Sequence, residues 1–186
     1  MYETTSPVDE GTLAVGDGHV LRWMVSGNPN GKPAVLLHGG PGTGLNKNFE
    51  RMFDPARYRL VQFDQRNCGR STPYAGAPAV DLSTNTTHHL IADIEQLRTL
   101  LGLDQWLVWG GSWGTTLGLA YAQAHPAAVS ELLLASVVTT TVAEVEWITR
   151  AMGQIFPHEW SRFRDFVPES CRDGNLAMAY NELLLL

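Results

Sequence analysis

The chain has 186 residues, of which 44% are hydrophobic, and it carries a formal net charge of -6. This length predicts one domain or one and a half, and the apolar fraction is ordinary for a globular protein with a packed core. The negative charge argues against non-specific nucleic-acid binding, and no stretch approaches the roughly 20 apolar residues of a membrane span.

The first third of the chain predicts four strands. Residues 13–15 and 20–25 are short apolar runs, and Asp17-Gly18 between them is a hairpin turn signal. Residues 34–37 form a continuous apolar strand that ends in a glycine cluster, and residues 58–63 form another strand. We therefore expect a hairpin followed by two buried strands.

A helix is predicted over residues 85–101. Its apolar residues recur at spacings of three and four. They are Leu90, Ile94, Leu97 and Leu101. Asn85 is placed to cap the start of this helix, and Gly102 is placed to end it.

The middle of the chain continues the alternation of strands and helices. Residues 106–109 and 131–135 predict strands, and residues 115–125 predict a helix that stops before Pro126. Buried apolar strands alternating with helices indicate an α/β fold whose mostly parallel sheet is covered on both faces. With the opening hairpin, the sheet is mixed and has six predicted strands.

The character of the sequence changes after Val138. The remaining residues contain no strand-like run, and they show helical periodicity with more aromatic and charged side chains. We therefore divide the chain into residues 1–138, the amino-terminal part of an α/β core, and residues 139–186, a helical second region.

The segment Gly110-Gly111-Ser112-Trp113-Gly114 fits the pattern G-x-S-x-G between a strand and a helix. In α/β hydrolases this sharp turn exposes the hydroxyl of a nucleophilic serine, and the flanking glycines let neighbouring backbone approach closely. The helix N-terminus beneath the serine favours negative charge. The pattern predicts Ser112 as a catalytic nucleophile; the alternative is a glycine-rich turn with an incidental serine.

A second glycine-rich segment, His38-Gly39-Gly40-Pro41-Gly42, follows an earlier strand. α/β hydrolases build half of the oxyanion hole at this place. We expect one N–H donor from Gly39 or Gly40 and the other from Trp113, and we expect His38 to order the loop by hydrogen bonds. Pro41 has no N–H to donate, so Pro41 and Gly42 are expected to shape the loop.

The segment that begins at Asp64 follows the strand after the glycine loop. By charge alone, Asp64 is expected to form an ion pair with Arg66 or Arg70 that shapes this loop. The same shaping role is expected of Gly110, Gly111 and Gly114, which bracket Ser112.

Taken together, these segments resemble the prolyl iminopeptidases, α/β-hydrolase enzymes that remove N-terminal proline from peptides. The segments are His38-Gly39-Gly40-Pro41-Gly42, Asp64-Gln65-Arg66, Cys68-Gly69-Arg70-Ser71, Gly110-Gly111-Ser112-Trp113-Gly114, Leu119-Ala120-Tyr121 and His125-Pro126. The resemblance implies a peptide substrate with N-terminal proline, and a helical cap that begins in residues 139–186. We expect no cofactor and no metal ion.

Two positions depart from the family pattern. Asn67 stands where the family usually has glycine, and asparagine is the next-best residue if the backbone there has positive φ. His88 stands where tryptophan is expected, and neither departure touches the nucleophile.

The catalytic acid and base are expected after Ser112, in that order along the chain. His125 ends the helix that follows Ser112, which places it roughly 20 Å away, and His158 lies in the helical region. Glu131 begins its strand and so lies at the wrong end of the sheet for catalysis. We therefore expect this α/β-hydrolase core to be incomplete and the 186-residue chain to be inactive alone.

Two other functions remain open from the sequence. One is another cap-bearing serine hydrolase, such as an esterase or amidase; the other is a non-catalytic fragment or binding module. Epoxide hydrolases are disfavoured because they place aspartate at the position of Ser112.

Cys68 and Cys171 form neither a disulfide framework nor a metal-ligand spacing, and residues 1–11 lack signal-peptide features, which predicts a cytoplasmic protein.

Overall fold

A computed structural model describes residues 1–184 of the chain. It divides into two compact units, Met1–Val138 and Thr139–Leu186, and each unit is described by itself. The first unit is a sheet with helices, and the second is helical.

The first unit is built on a six-stranded sheet with the order β1-β2-β4-β3-β5-β6. The strands are β1 Asp9–Gly16, β2 His19–Gly27, β3 Lys32–Leu37, β4 Tyr58–Phe63, β5 Trp106–Gly111 and β6 Val129–Ala135. The β1–β2 and β2–β4 pairs are antiparallel, whereas β3–β4, β3–β5 and β5–β6 are parallel. The predicted mixed, mostly parallel sheet is confirmed.

Helices cover both faces of this sheet. They are α1 Lys47–Glu50, α2 Thr87–Leu100 and α3 Trp113–Ala124. Helices α2 and α3 pack on one face, around a core that includes Val35, Val108, Ile94 and Leu117. On the other face, Phe49 and Phe53 pack against Leu36, Leu60 and Trp109. Strand β5 is buried along its whole length because it lies between β3 and β6 and is covered on both faces.

The turn chemistry that the sequence indicated is present. Asp17 and Gly18 have φ values of 51° and 76°, as a two-residue hairpin with a primed turn requires. Asn67 has φ 62°, so the condition under which asparagine is the next-best residue after glycine is met at this position. Gly102, with φ 64°, follows the last turn of α2, so the predicted end of this helix is confirmed.

Several predicted boundaries were wrong by a few residues. The N-cap position of helix α2 is occupied by Thr86, whose side chain makes no capping hydrogen bond, and the side-chain amide of Asn85 donates to the carbonyl oxygen of Arg66 at 3.4 Å. Helix α3 begins at Trp113 because the chain turns into the helix directly after Ser112. Strands β1, β2 and β6 extend beyond their apolar runs because backbone pairing continues through polar residues.

The second unit contains α4 Val142–Thr149, α5 Pro157–Phe166 and α6 Leu176–Leu184. Thr141 and Glu144 form a capping box at the start of α4. A small core forms around Val167, Leu176 and Ala179, and the ring of Tyr180 stacks on those of Phe163 and Phe166. The assignment of this unit as the beginning of a cap stays a prediction, and the last two leucines lie outside the described residues. Within residues 1–184, none of the helices has the length and apolar character needed to cross a membrane.

Candidate active site

Ser112 lies on a sharp turn between β5, which ends at Gly111, and α3, which begins at Trp113. Its backbone has φ 53° and ψ -122°, a region that a residue with a Cβ rarely adopts and that stores strain at functional sites. The N–H of Ser112 donates to the carbonyl oxygen of Ala135 at 3.0 Å, which ties the turn to the end of β6. The residue is exposed.

Glycines allow the backbone around this turn to pack closely. A Cβ on Gly114 would overlap the carbonyl oxygen of Leu37, and one on Gly110 would overlap the carbonyl oxygen of Gly114. A Cβ on Gly39 would lie 3.1 Å from the Cβ and 3.7 Å from the Oγ of Ser112. The structure therefore brings the loop after β3 directly against the predicted nucleophile.

Three backbone N–H groups around Ser112 are free to bind an anion. Within residues 1–184, the N–H groups of Gly39, Gly40 and Trp113 donate to no protein acceptor. Trp113 is the first residue of α3, where N–H groups have no partner inside the helix and the dipole favours negative charge. That these donors converge on one point remains a prediction.

The two ring nitrogens of His38 are both engaged. Nε2 accepts the backbone N–H of Gln65 at 3.0 Å, so in the neutral ring the proton is on Nδ1, which donates to the carbonyl oxygen of Gly39 at 3.0 Å. Burial lowers the pKa of His38, which favours this neutral form. His38 thus fixes the loop and has no nitrogen free to act as a base for Ser112.

The rest of the glycine loop is held by a hydroxyl and by its backbone conformation. Thr43 Oγ1 donates to the carbonyl oxygen of Gly39 at 2.9 Å. Gly40 and Gly42 have φ values of 112° and 102°, in the left-handed region that favours glycine. Pro41 and Gly42 are exposed and form part of the wall of a cleft.

Asp64 is buried directly after β4 and bonds to backbone donors. Its carboxylate accepts the N–H of Leu45 at 2.6 Å and the N–H of Arg70 at 2.9 Å. The expected ion pair of Asp64 with Arg66 or Arg70 is wrong, because within the described residues neither side chain contacts this carboxylate. Asp64 holds the loop around Leu45 through peptide groups rather than through a charge pair.

Arg66 instead pairs with helix α2. Its Nε and Nη2 donate to the two carboxylate oxygens of Asp93 at 2.7 and 2.9 Å, and its Nη1 lies 3.3 Å from Asp17. The side chains of Asp64 and Arg66 therefore reach different parts of the fold, since Asp64 meets the loop around Leu45 and Arg66 meets α2 and the β1–β2 turn.

Gln65 is a residue to which the sequence analysis gave no role. Its side chain is buried, with Nε2 donating to the carbonyl oxygen of His38 at 2.9 Å and Oε1 accepting from the indole Nε1 of Trp113 at 3.2 Å. The available signal was its position directly after β4, next to the end of the parallel strand β3. The carboxyl ends of parallel strands share one sheet edge, which is where ligands bind in open α/β sheets.

A cleft of about 530 Å³ adjoins the turn. Its wall includes the apolar side chains of Trp113, Tyr74 and Leu90, together with polar residues that follow β4 and precede α2. Cys68 contributes to this wall as a buried free thiol, and burial raises its pKa to about 11. The cleft can hold a partly apolar substituent beside Trp113, the residue that follows Ser112.

No proton acceptor for Ser112 is found within the first unit, residues 1–138. Among these residues, neither a histidine nor a carboxylate hydrogen-bonds to Ser112 Oγ. His125 lies at the far end of α3 with its Nδ1 3.8 Å from Glu95, and His158 is in α5 of the second unit. In the same range, no three histidine, cysteine, aspartate or glutamate side chains cluster as metal ligands would.

The strand–turn–helix geometry at Ser112, on a mostly parallel sheet, defines an α/β-hydrolase core. The family described as alpha/beta hydrolase fold matches residues 32–170. The chain belongs to this family. Its expected resemblance to the prolyl iminopeptidases is confirmed by curated relatives of that name at 45–54% identity.

One such relative is the probable proline iminopeptidase of Streptomyces coelicolor, which is 54% identical over 99% of this chain and 57% of its own length. The proline iminopeptidase of Arabidopsis thaliana is 45% identical over 99% of this chain and 47% of its own length. The chain therefore spans about half the length of the curated relatives that it matches.

Solved structures share the fold. A proline iminopeptidase from Mycobacterium smegmatis matches with a TM-score of 0.64 at 23% identity, over 94% of this chain and 59% of that chain. This likeness supports the fold alone.

Proposed function

We propose that this chain carries the nucleophile and the oxyanion hole of a serine aminopeptidase that releases N-terminal proline from peptides. The observation that carries the proposal is the backbone of Ser112, with φ 53° and an exposed side chain, between β5 and the N-terminus of α3. A strained, exposed serine at this place is the arrangement by which α/β hydrolases present a nucleophile.

The chemistry is acyl transfer in two steps. Ser112 Oγ attacks the carbonyl carbon of the N-terminal proline while a base takes the hydroxyl proton. The negative charge on the carbonyl oxygen is bound by the N–H of Trp113 and that of Gly39 or Gly40. The amine of the shortened peptide leaves with the proton from the base, and water then releases proline from the prolyl-serine ester.

The base and the acid that orients it come, in this proposal, from residues outside 1–184. Both ring nitrogens of His38 are engaged, and His125 lies at the other end of a 12-residue helix, roughly 18 Å away along its axis. Without a base the serine is not activated. The 186-residue chain alone is therefore expected to be inactive.

The substrate class rests on the relatives named proline iminopeptidase. The apolar side chains in the cleft beside Trp113 are compatible with the ring carbons of a proline. A cytoplasmic location belongs to the same proposal and rests on the two cysteines, which are free thiols.

The test is hydrolysis of proline β-naphthylamide by the complete protein, together with labelling of Ser112 by a fluorophosphonate. Ser112→Ala should abolish both turnover and labelling. The control is Ser130→Ala, which replaces an exposed serine on β6 and should leave both unchanged. Turnover of p-nitrophenyl acetate with none of the proline amide would favour another cap-bearing esterase or amidase. A label on a serine other than Ser112 would refute the proposed nucleophile.

A further inference from the structure

The side chain of Gln65 bonds to both loops that flank Ser112. Its Nε2 donates to the carbonyl oxygen of His38 at 2.9 Å, and its Oε1 accepts from the indole N–H of Trp113 at 3.2 Å. One partner can only accept and the other can only donate, so the orientation of the amide is fixed by its neighbours. Gln65 is 2% exposed, so its bonds are largely shielded from water although the residue borders the cleft beside Trp113.

The bond to His38 controls the direction of a neighbouring N–H group. The carbonyl of His38 and the N–H of Gly39 belong to one planar trans peptide, in which the two bonds point in opposite directions. Fixing the carbonyl oxygen of His38 therefore fixes the direction of the Gly39 N–H. The next peptide is fixed in the same way, because the carbonyl oxygen of Gly39 accepts from His38 Nδ1 and from Thr43 Oγ1.

The bond to Trp113 restrains the opposite side of the site. Trp113 begins α3, and its backbone N–H is the donor that follows the nucleophile. Its indole N–H donates to the side chain of Gln65, which lies just after the end of β4. A single side chain thus links the two backbone segments that would bind the oxyanion.

We propose that Gln65 is a positioning residue that presets the oxyanion hole by holding the His38–Gly39 peptide and Trp113 in fixed relative orientation. The inference rests on the proposed function for its kinetic consequence, though the orientation of the peptide can be tested without it. A preset donor acts on the transition state because no reorganisation is needed when charge develops. The expected signature is therefore a loss of kcat with little change in KM.

The chain offers a matched control in Gln62. This glutamine lies within β4, just before the segment that holds Gln65, and is 1% exposed, but among residues 1–184 its Nε2 has no hydrogen-bond partner. Gln65→Met and Gln62→Met remove the same atoms from equally buried positions. We expect Gln65→Met to lower kcat about 10- to 100-fold with KM within about threefold, and Gln62→Met to change kcat less than about twofold.

An isosteric variant supplies a readout that a purely structural role would not give. Gln65→Glu keeps the acceptor for the indole but replaces the donor to His38 by a carboxylate oxygen, which repels the carbonyl. Protonation of the introduced carboxyl restores a donor. The ratio of variant to wild-type kcat should therefore rise as the pH falls, and taking the ratio removes the titration of the catalytic base.

The kinetic measurements use the complete protein, with proline β-naphthylamide and p-nitrophenyl acetate as substrates. A fall in kcat on either substrate for Gln65→Met but not Gln62→Met supports the proposal. Equal effects of the two substitutions would overturn it, as would a ratio for Gln65→Glu that is independent of pH. Turnover of the ester but not of the proline amide contradicts the proposed substrate and leaves the test of Gln65 intact.

Crystal structures test whether Gln65 orients the His38–Gly39 peptide, even if the wild-type protein hydrolyses neither substrate. Gln65→Met should show the His38–Gly39 peptide rotated or in two orientations, whereas Gln62→Met should keep the wild-type orientation. A peptide that is unchanged in Gln65→Met would overturn the positioning role, whatever reaction the protein catalyses. If Gln65→Met does not fold, Gln65→Glu at high pH takes its place, with the same expected rotation.

Discussion

Arg66 and Asp93 form a bidentate ion pair in which both side chains are at most 2% exposed. The pair joins the segment after β4 to helix α2, and Arg66 Nη2 also donates to the carbonyl oxygen of Val15 at 3.2 Å. Burying two charges is costly, and their attraction offsets this cost only while both are present. The pair therefore makes the position of the segment after β4 dependent on α2.

Removing one partner of this pair should be strongly destabilising. Asp93→Leu leaves a buried guanidinium, so we expect the free energy of unfolding to fall by about 3–5 kcal/mol in urea denaturation. Adding Arg66→Met to Asp93→Leu should recover most of the loss. Glu131→Gln breaks an exposed pair with Lys32 and should cost less than about 1 kcal/mol. Equal losses for Asp93→Leu and Glu131→Gln would contradict the argument.

The glycine after Trp113 gives a second prediction. A methyl group on Gly114 would overlap the carbonyl oxygen of Leu37, which is backbone and cannot rotate away, so Gly114→Ala must displace the turn that holds Ser112. We expect about 1–3 kcal/mol lower stability and slower labelling of Ser112 by a fluorophosphonate.

Gly118 is the matched control for this substitution. It lies in the same helix, and an added Cβ would meet side chains at 3.6 Å, an ordinary contact distance. Gly118→Ala should leave the labelling rate unchanged and raise stability by about 0.5–1 kcal/mol, since alanine is the better helix former. Equal labelling by the two variants would show that the turn tolerates a side chain at Gly114.

The sequence predicted those features of the fold that depend on residues close together along the chain. The Asp17-Gly18 turn, the helix end at Gly102 and the strand–turn–helix pattern around Ser112 are local, because a few side chains decide the backbone conformation. The apolar runs predicted the six strands for the same reason.

The partners of buried charges were not predictable in this way. Arg66 lies two residues from Asp64 in sequence, yet it pairs with Asp93, which is 27 residues away. Gln65 was overlooked because its contacts with His38 and Trp113 depend on which strand ends are adjacent in the sheet, and the strand order is not visible in a single sequence. Charge proximity along the chain thus predicted the wrong partner for Arg66.

The buried imidazole of His38 predicts a pH dependence of stability. Burial lowers its pKa below the ordinary value of about 6.5, so between the two values the unfolded chain binds a proton that the folded chain does not. Stability should therefore fall as the pH falls through this window, with a slope of up to about 1.4 kcal/mol per pH unit.

Urea unfolding measured between about pH 7 and pH 5.5 checks this dependence. His38→Gln should flatten the slope but not remove it, since the pKa of His19 is also lowered, mainly by burial. The double variant with His19→Gln should be flatter still. An undiminished slope in His38→Gln would show that other groups carry the pH dependence.

Cys68 should be an unreactive thiol. Burial raises its pKa to about 11, and the thiolate is the nucleophile, so only a small fraction is reactive near pH 8. Iodoacetamide followed by peptide mapping should modify the half-buried Cys171 well before Cys68. In urea the two rates should become similar. Faster modification of Cys68 in the folded protein would mean that the cleft is open to solvent at this thiol.

The open edge strand β6 predicts self-association of the 186-residue chain. Among the described residues, β6 pairs only with β5, and its Leu132 and Leu133 are 37% and 48% exposed. An apolar strand with an open row of backbone donors and acceptors pairs readily with another chain. We expect the mass in solution, measured by light scattering, to rise with protein concentration.

Lysine on an edge strand opposes such pairing, so Leu133→Lys should shift the chain towards the monomer. Leu100→Lys is the control, because it removes an equally exposed leucine from the end of helix α2 rather than from the edge strand. The chain should also release no proline from a proline amide, since residues 1–138 supply no base to Ser112 and pairing of edge strands does not provide one. A chain that stays monomeric at all concentrations and releases proline would contradict both arguments. It would show that residues 1–186 suffice to protect edge strand β6 from pairing and to activate Ser112.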